Sequence, residues 1–593
     1  MTRHIGTGAA AVLVLLGATA CNDLLNVQPE DQLPEDAVFA DPNLAETFLN
    51  DIYRGMGHGL YEIMLSSMTD ETHFIHVYQT DKVLQARVTS SDRGALADGR
   101  FNHFDWSDNY LRIRQTNVFL DNIDAASFDD AWKQRMKGEA LLLRAYFYHN
   151  LMRMYGGVPL ITQVYGLNDD FEVARNSFAE TVDFIVAGAE QAAALLPAAH
   201  DASNLGRPTK GAALALKARV LLYAASDLYN VNSSGRPEHG YTTPQDRAAL
   251  WRAAKNAAKE VMDSGWYRLF RPNPAGAQEA TQNYADLFLQ KTSEEAIMSR
   301  FFLASRGGAD GAHPGRDNGP NGYHNWGGNT PIQNLVDDYR MADGSKFDWT
   351  NPAHAAAPYQ NRDPRFYATI LYDGAPWRQR PDDVKEKEPY DRIQTFRELR
   401  LAGDTLVPGV DTRDGPIEDW NGGYSGYYLR KFIDPSVNHQ FIRQEVPWIF
   451  FRYAEILLNY AEASIELNEL ADALTVLNQI RRRAGMPELS ATLTQAELRD
   501  EYQNERRVEM VFEEQRFFDV RRWMIAPDVL NRDAGGINIF LEGSKRYDRS
   551  TWTNYRYEPM IVQDRAWNDK MYFMPIHRDE LNRNSLLVQN TGY

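Results

Sequence analysis

Apolar residues recur every three or four positions through most of the first half of the chain and again near its end. In one such stripe Met136, Ala140, Leu143 and Phe147 follow one another, and the pattern stops at Gly156. This spacing places apolar side chains on one face of a helix. Comparable stripes run through residues 44–52, 182–196, 214–228, 250–261, 453–460, 473–480 and 498–508. The pattern predicts a mostly helical protein.

Capping residues mark where several of these helices begin and end. Ser177 lies three residues before Glu180, and Thr494 lies three residues before Glu497. Both pairs predict capping boxes, in which each side chain bonds the other residue's backbone N–H. Gly265 follows an apolar stripe at the position that favours a helix-ending glycine.

The predicted helices follow one another in pairs, with small residues where two helices must approach closely. These residues are Ala140, Ala218, Ala254 and Ala461. Alanine-rich helical pairs are typical of tetratricopeptide repeats, although the spacing here is uneven. We expect a mostly α, tetratricopeptide-like scaffold of helical pairs. An irregular helical bundle is the alternative.

Residues 271–435 differ from the rest of the chain. They contain 14 of the 27 prolines, several Gly-Gly pairs and few helical stripes. Long loops in compact domains usually carry function or are disordered, and the many tyrosines and tryptophans here argue against disorder. We expect a loop-rich, ligand-binding insertion at 271–435, with helical segments 21–270 and 436–593 forming one domain around it.

The N-terminal segment leads into Cys21, the only cysteine of the chain. An apolar run at residues 9–16 is too short to span a bilayer and has the length of a signal-peptide core. Small residues directly precede the cysteine, a pattern typical of a bacterial lipobox. We expect residues 1–20 to be a signal peptide and Cys21 to carry lipid. An ordinary secretory signal is the alternative.

Composition narrows the possible functions. The net charge of −18 argues against nucleic acid as a partner. With one cysteine, the chain can form no internal disulfide and no metal site built from several cysteines.

Residues that could carry enzyme chemistry are few. His73 and His76 are three residues apart but have no clear third metal ligand. Asp70 and Glu71 are adjacent, so on regular structure they point apart and make a poor glycosidase pair. We predict no catalytic residue, no metal and no cofactor.

A glycine-rich stretch contains Asp310, Asp317, Asn318 and Asn321, whose oxygens could bind calcium. Their spacing does not fit an EF-hand loop, so a polar turn is the favoured interpretation.

Six segments together resemble the SusD/RagB family, the surface lipoproteins of Bacteroidetes that partner TonB-dependent SusC-type transporters. They occur in order from the first helices to the last residue. The segments are Glu-Ala-Leu-Leu-Leu-Arg-Ala-Tyr-Phe-Tyr-His at 139–149 with its continuation to 160, Gly-Arg-Pro-Thr-Lys-Gly at 206–211 with its continuation to 219, and the stretches 452–462, 478–485, 505–519 and 589–593.

Charged residues of these segments lie on or beside apolar helical faces. They are Glu139, Arg144, Arg219, Glu455 and Arg506. Because an unpaired buried charge is costly, we expect them to form ion pairs between helices.

The resemblance implies that ligand-binding residues come from the loop after the first helix and from the insertion, here 73–106 and 300–330. Aromatic rings can stack on the C–H faces of sugars, and nearby amides bond hydroxyl groups. Tyr323 and Trp326, flanked by glycines and amides, are the first candidates. The second group is Tyr78, Phe104 and Trp106, although Trp106 also fits a core position.

The resemblance also implies the function. We expect a non-catalytic lipoprotein of the outer membrane, exposed at the cell surface, that captures an oligosaccharide or polysaccharide and delivers it to a SusC-like transporter. The alternatives are the same role with a peptide or other polymer, or a lipoprotein that hydrolyses glycans.

Overall fold

The computed structural model describes residues 35–166, 168–232, 234–306 and 311–593. The predicted signal peptide, Cys21 and Asp310 lie outside these residues. Within the described ranges, no helix combines the length and apolar character needed to cross a membrane.

Helices dominate the described residues. Up to the insertion they are α1 (Glu35–Val38), α2 (Pro42–Arg54), α3 (Thr80–Leu84), α4 (Trp106–Ile123), α5 (Asp130–Tyr155), α6 (Phe178–Leu195), α7 (Lys210–Ala225), α8 (Asp227–Asn230) and α9 (Arg247–Asp263). They continue with α10 (Ala277–Leu287), α11 (Pro314–Asn318), α12 (Gln333–Asp338), α13 (Pro352–Ala356), α14 (Pro364–Thr369), α15 (Asp382–Lys385), α16 (Tyr453–Glu466), α17 (Leu470–Arg483), α18 (Gln495–Glu509), α19 (Arg516–Arg522), α20 (Ala526–Leu530) and α21 (Arg578–Arg583).

The strands are short and form small sheets. They are β1 (Thr72–Phe74), β2 (Ala296–Arg300), β3 (Asn329–Pro331), β4 (Ile370–Leu371), β5 (Glu398–Leu401), β6 (Thr405–Val407), β7 (Tyr428–Leu429), β8 (Trp448–Arg452), β9 (Ala534–Gly543) and β10 (Trp552–Gln563). Strands β10, β9, β5 and β6 form one sheet in that order, and β1–β3, β2–β8 and β4–β7 form antiparallel pairs.

The long helices pack in a row in which each contacts the next. Helices α4 to α7 follow one another, α9 packs on α7, and α16 packs on α9 and is followed by α17 and α18. Ala140, Ala218, Ala254 and Ala461 are all buried in this row. The prediction of a mostly helical scaffold of helical pairs is confirmed.

Both predicted capping boxes are present. Ser177 and Glu180 satisfy each other's backbone at the start of α6, and Thr494 and Glu497 do so at α18. Gly265 has φ +66° just beyond α9, in the left-handed region that favours glycine at a helix end.

The insertion leaves and rejoins the helical row at one place. Helices α9 and α16 pack directly on each other although the insertion separates them in sequence. Strands β2 and β8, near its two ends, pair from Ala296 opposite Arg452 to Arg300 opposite Trp448. This pairing closes the base of the insertion.

A group of buried charges lies where the insertion meets α17 and α18. We call Glu295, Arg452, Arg483, Glu509 and Glu513 the ionic centre. Arg452 donates to Glu295 at 2.8 Å, to Glu509 at 2.7 Å and to Glu513 at 2.7 Å. Burial alone would raise the pKa of Glu509, but Arg483, Arg452 and a third guanidinium hold that pKa below its usual range.

Two residues of the insertion extend the ionic centre. Arg365 of α14, the third guanidinium, donates to Glu509 at 3.0 Å, and Lys431 donates to Glu513 at 2.7 Å. Burial lowers the pKa of Lys431 to about 8, although Glu513 opposes this shift. These contacts fix the insertion to the scaffold.

Arg219, Glu455 and Arg506 are paired between helices, as predicted, whereas Glu139 pairs with Arg207 in the loop before α7. Arg219 bonds Glu455 at 2.6 Å, Glu139 accepts from Arg207 at 2.7 Å, and Arg506 donates to Asp519 at 2.7 Å.

The ion pair predicted for Arg144 is wrong. This residue donates to the Asn117 side chain at 3.0 Å, and its guanidinium carbon lies 5.5 Å from the Phe184 ring centroid. Because Arg144 is only half-buried, it keeps contact with water and does not require a carboxylate.

Candidate functional site

Two loops are brought together by the pairing of β1 with β3. In this antiparallel register Thr72 faces Pro331 and Phe74 faces Asn329. The residues after β1 therefore lie beside those before β3, and Ile75 donates its N–H to the Gly328 carbonyl at 3.0 Å. Residues 75–79 and 324–328 form the first part of the candidate site.

A third loop, residues 420–424, completes the site. Gly423 donates its N–H to the Tyr428 hydroxyl at 2.8 Å, and that hydroxyl bonds Asn321 at 3.0 Å. Gly327 has φ +57°, and a Cβ on it would lie 2.6 Å from the Asn421 carbonyl oxygen. Glycine is therefore required for the loops to approach this closely.

Aromatic rings from the first and third loops stack on one another, and the second loop adjoins them through its backbone. The His76 ring is stacked near Trp420, with centroids 5.4 Å apart and planes 23° apart. The Tyr78 ring is also stacked near His76, at 5.8 Å and 28°. The Trp326 backbone opposes the lowering of the His76 pKa that burial causes, and the Tyr424 and His73 rings meet edge to face at a centroid distance of 5.8 Å. We call His76, Tyr78, Trp326, Trp420 and Tyr424 the aromatic surface.

Several of these rings are open to solvent. Trp420 is 63% exposed, Tyr78 is 46% exposed and Tyr424 is 40% exposed, while His76 and Trp326 are half-buried. Exposed apolar groups clustered in this way mark binding surfaces on soluble proteins. Burial lowers the pKa of His76, which favours the neutral imidazole within the stack.

The loop that carries Tyr78 has an unusual backbone. Val77, Tyr78 and Gln79 have φ values of 65°, 32° and 64°. Three successive non-glycine residues with positive φ are energetically unfavourable and are held in place by surrounding contacts. Gln79, for example, accepts hydrogen bonds from Lys82 and Ala95 at its carbonyl, both at 3.2 Å. The strained turn projects Tyr78 outward.

Two arginines support the rings. The Arg316 guanidinium carbon lies 4.0 Å from the Trp326 ring centroid, and its Nε donates to Asp317 at 2.9 Å. Burial raises the pKa of Asp317 to about 6, although Arg316 opposes this shift. Arg413 lies 4.4 Å from the Tyr424 ring centroid.

This arrangement is suited to binding flat, hydroxyl-rich molecules. A ring that covers about 50–100 Å² of a sugar's C–H face gains roughly 1–2.5 kcal/mol. The adjoining arginine, amide and carboxylate groups can bond hydroxyls around the edge of the rings. Two or three such contacts, after the cost of association, give about millimolar to micromolar affinity.

Two of the five predicted ligand-binding residues, Tyr78 and Trp326, belong to the aromatic surface. Tyr323 lies beneath it and is fully buried. Its hydroxyl donates to the Arg378 carbonyl at 3.0 Å, and Arg380 stacks on its ring at 4.3 Å. The enclosed Tyr323 ring offers no face to a ligand.

Phe104 and Trp106 lie in the core, apart from the aromatic surface. Phe104 packs against Phe518 at 5.7 Å, and Trp106 meets Tyr155 edge-on at 5.3 Å. Both are at least 96% buried. Trp106 thus occupies the core position considered as its alternative, at the start of α4.

Three residues weighed for enzyme chemistry are buried. Asp70 bonds Arg507 and Arg516 in the interior, and these arginines hold the pKa of Asp70 low despite its burial. Burial raises the pKa of Glu71 to about 8, and burial lowers the pKa of His73 to about 3. None of the three reaches solvent, so they do not form an accessible catalytic pair or metal site with the aromatic surface.

Of the residues proposed for calcium, Asp317 pairs with Arg316, and Asn321 bonds the Thr412 carbonyl at 3.0 Å. Within the part of the chain that the structure describes, no cluster of three or more His, Cys, Asp or Glu residues is arranged to hold a metal.

Trp420 and Tyr424 are not among the residues predicted to bind ligand, and His76 was considered only as a metal ligand. A usable signal was present, because Trp-Asn-Gly-Gly-Tyr at 420–424 repeats the aromatic, amide and glycine composition around Trp326.

Two family models match the chain. The model described as SusD family matches residues 294–593, which is half of the sequence. The model described as starch-binding and associating with the outer membrane matches residues 23–222.

Individual proteins resemble the chain over most of its length. SusD-like protein P38 of Formosa agariphila is 23% identical over 88% of this chain and 91% of its own length. A SusD-like protein from Bacteroides fragilis has a TM-score of 0.73 at 27% identity and covers 96% of this chain and 100% of its own.

A second structure from Bacteroides fragilis, a SusD-like carbohydrate binding protein, has a TM-score of 0.69 at 24% identity and covers 93% of this chain and 100% of its own. The family match over half of the sequence and the agreement in fold lead to one conclusion: the chain belongs to the SusD family.

Proposed function

We propose that this protein is a cell-surface nutrient-binding lipoprotein that captures a glycan on the aromatic surface. It hands the glycan, chemically unchanged, to a SusC-like TonB-dependent transporter of the outer membrane. The family is carbohydrate-binding, and the second Bacteroides fragilis structure is described as a carbohydrate binding protein.

The observation that carries this proposal is the aromatic surface itself. The His76 ring is stacked near both Trp420 and Tyr78, and those two rings are 63% and 46% exposed. Burying such rings would stabilise the free protein, so their exposure favours a binding role. A row of rings suits an extended chain of sugars better than a single small ligand.

Two of the carboxyl groups beside the aromatic surface are held by arginines, which favours binding over hydrolysis at these two positions. Asp317 is buried against Arg316, and Glu62 is engaged by Arg100 at 2.5 Å. A glycosidase needs one carboxylic acid and one carboxylate facing the scissile bond. Asp317 and Glu62 are instead occupied by arginines that position the loops.

Affinity electrophoresis in gels that contain laminarin, starch, xylan or polygalacturonate tests glycan capture. We expect at least one polysaccharide to retard the protein without release of reducing sugar. Retention of peptides alone would support the peptide alternative, and sustained sugar release would support the hydrolase alternative.

Membrane attachment through Cys21 has its own test. We expect Cys21→Ser to move the protein from the membrane fraction to the soluble fraction and to abolish labelling by a palmitate analogue, with glycan retention unchanged. Co-purification of a TonB-dependent barrel with the lipidated protein, identified by mass spectrometry, tests the transporter partnership.

A further inference from the structure

A cleft borders the aromatic surface at Tyr78. Its volume is about 480 Å³, and its walls include Tyr78, Gln79, Ser91, Asp92 and Ala97. Ligand sites commonly have volumes of roughly 300–1,000 Å³. We call this space the Tyr78 cleft.

The charges around the Tyr78 cleft leave no surplus of positive charge. Three acid–base pairs line it or lie directly behind its walls. They are Lys82 with Asp92 at 2.5 Å, Arg100 with Asp98 at 2.9 Å, and Arg93 with Asp105. His577, which also lines the cleft, lies 3.7 Å from Asp579. Because Lys82, Arg93 and Arg100 already have carboxylate partners, the cleft has no surplus positive charge to attract a sulfate or a uronate.

The cleft still offers many hydrogen-bonding groups. Asp92 and Asp98 keep 47% and 35% of their side-chain surfaces exposed, and Gln79 and Ser91 are also exposed. Carboxylate and amide oxygens accept from hydroxyls, and the serine hydroxyl can donate or accept. Polar walls without surplus positive charge and one aromatic side suit a neutral, hydroxyl-rich ligand.

Tyr78 and one ion-pair chain connect the cleft with the aromatic surface. Tyr78 lines the cleft and also stacks beside His76. Arg100 bonds Asp98 of the cleft with one nitrogen and Glu62 with the other, and Glu62 acts electrostatically on His76. A ligand that crosses Tyr78 can therefore contact both places.

We propose that the Tyr78 cleft is a second saccharide subsite, which takes neutral sugar units of the same chain that stacks on the aromatic surface. This inference rests on the proposed glycan-binding function and adds the direction of the chain, from Trp420 across Tyr78 into the cleft. It also adds the ligand class, a neutral glycan.

Chain length separates the two subsites experimentally. The probes are malto-, laminari-, cello- and xylo-oligosaccharides of three and six units, titrated by calorimetry. For the series that binds, we expect the hexasaccharide to bind wild type about tenfold more tightly than the trisaccharide, because it reaches the cleft.

Ala97→Trp fills the cleft without removing any ion pair, and Ala97→Ser is the matched control. We expect Ala97→Trp to remove the tenfold gain and leave trisaccharide affinity unchanged, while Ala97→Ser behaves as wild type. Ser91→Trp, at another wall of the cleft, should have the same effect. It replaces Ala97→Trp in the test if circular dichroism shows that Ala97→Trp is not folded.

The possible outcomes test the second subsite, the ligand class and the glycan-binding function separately. Loss of trisaccharide binding in Trp420→Ala supports the proposed function. If Ala97→Trp and Ser91→Trp still bind the hexasaccharide about tenfold more tightly than the trisaccharide, the second subsite is overturned. Stronger retention by polygalacturonate than by every neutral polysaccharide overturns the ligand class. Absence of binding to any probe by wild type overturns the proposed function and the inference together.

Discussion

The ionic centre and the aromatic surface both combine residues of the insertion with residues outside it, but they differ in what they expose. In the ionic centre, Arg452 and its three glutamates are almost completely enclosed. On the aromatic surface, Trp420 is 63% exposed and Tyr78 is 46% exposed. The comparison separates groups that hold the fold from groups that remain available to a ligand.

The energetic consequences differ in the same way. Removing one member of a buried ion network leaves its partners charged in a medium that solvates them poorly. Removing an exposed ring loses little folding energy because the ring is already hydrated. Mutations in the two regions should therefore affect stability and binding separately.

The largest expected effect is that of Arg452→Met. Three carboxylates lose a shared partner, and we expect the free energy of unfolding to fall by about 3–5 kcal/mol. Urea unfolding followed by circular dichroism measures the change. Arg268→Met is the control, because Arg268 lies 3.7 Å from Glu294 at the surface and should change stability by less than about 0.5 kcal/mol. Equal effects of the two variants would contradict the structural role of the ionic centre.

Gly327→Ala tests the packing that joins the loops of the aromatic surface. The new Cβ would lie 2.6 Å from the Asn421 carbonyl oxygen, so we expect glycan retention to be lost and stability to fall by about 2 kcal/mol. Gly403→Ala is matched, because Gly403 also has positive φ but has no atom within 4 Å of its added Cβ. If the two variants unfold alike and retain glycan alike, the close approach has no functional importance.

Trp420→Ala should separate binding from stability. Loss of one stacking ring costs about 1–2 kcal/mol of binding, or roughly five- to thirtyfold in affinity. The melting temperature should not change, because the side chain is exposed. Trp326→Ala should cost less, since Arg316 already covers part of that ring at 4.0 Å. Trp266→Ala, at an exposed tryptophan outside the site, should bind as wild type; a comparable loss there would refute a local effect.

The smallest expected effect is a dependence on pH through Asp317. Burial raises the pKa of this carboxyl to about 6, so it is charged above pH 6 and protonated below it. Protonation weakens its bond to Arg316, which positions Trp326. We expect retention to fall by less than about threefold between pH 7.5 and 5, and Asp317→Asn to remove that dependence. If glycan retention by Asp317→Asn depends on pH as it does in wild type, the dependence comes from other groups.

The sequence predicted the helical scaffold well because its signals are local. The stripe from Met136 to Phe147 and the capping boxes at Ser177 and Thr494 each lie within one helix. The aromatic surface depends instead on the three-residue pairing of β1 with β3, which no local pattern specifies.

The same limit explains why only part of the candidate site was predicted. Tyr323 and Trp326 share one glycine-rich segment, yet the ring of Tyr323 is enclosed by Arg380 and the ring of Trp326 is not. Which of two neighbouring aromatics faces inward depends on residues more than 50 positions away. Composition can indicate which segment contributes to the site, but not which of its aromatic rings faces solvent.

The closed base of the insertion affects how the insertion can change during evolution. Since β2 and β8 lie side by side near its two ends, the polypeptide between these strands could be lengthened, shortened or exchanged without separating α9 from α16. A replacement would still have to supply counterparts of Arg365 and Lys431 and to fit the turn at Tyr78. The fold would thus tolerate substitution of the exposed aromatic rings, whereas the few charged residues that attach the insertion to the scaffold would have to be kept.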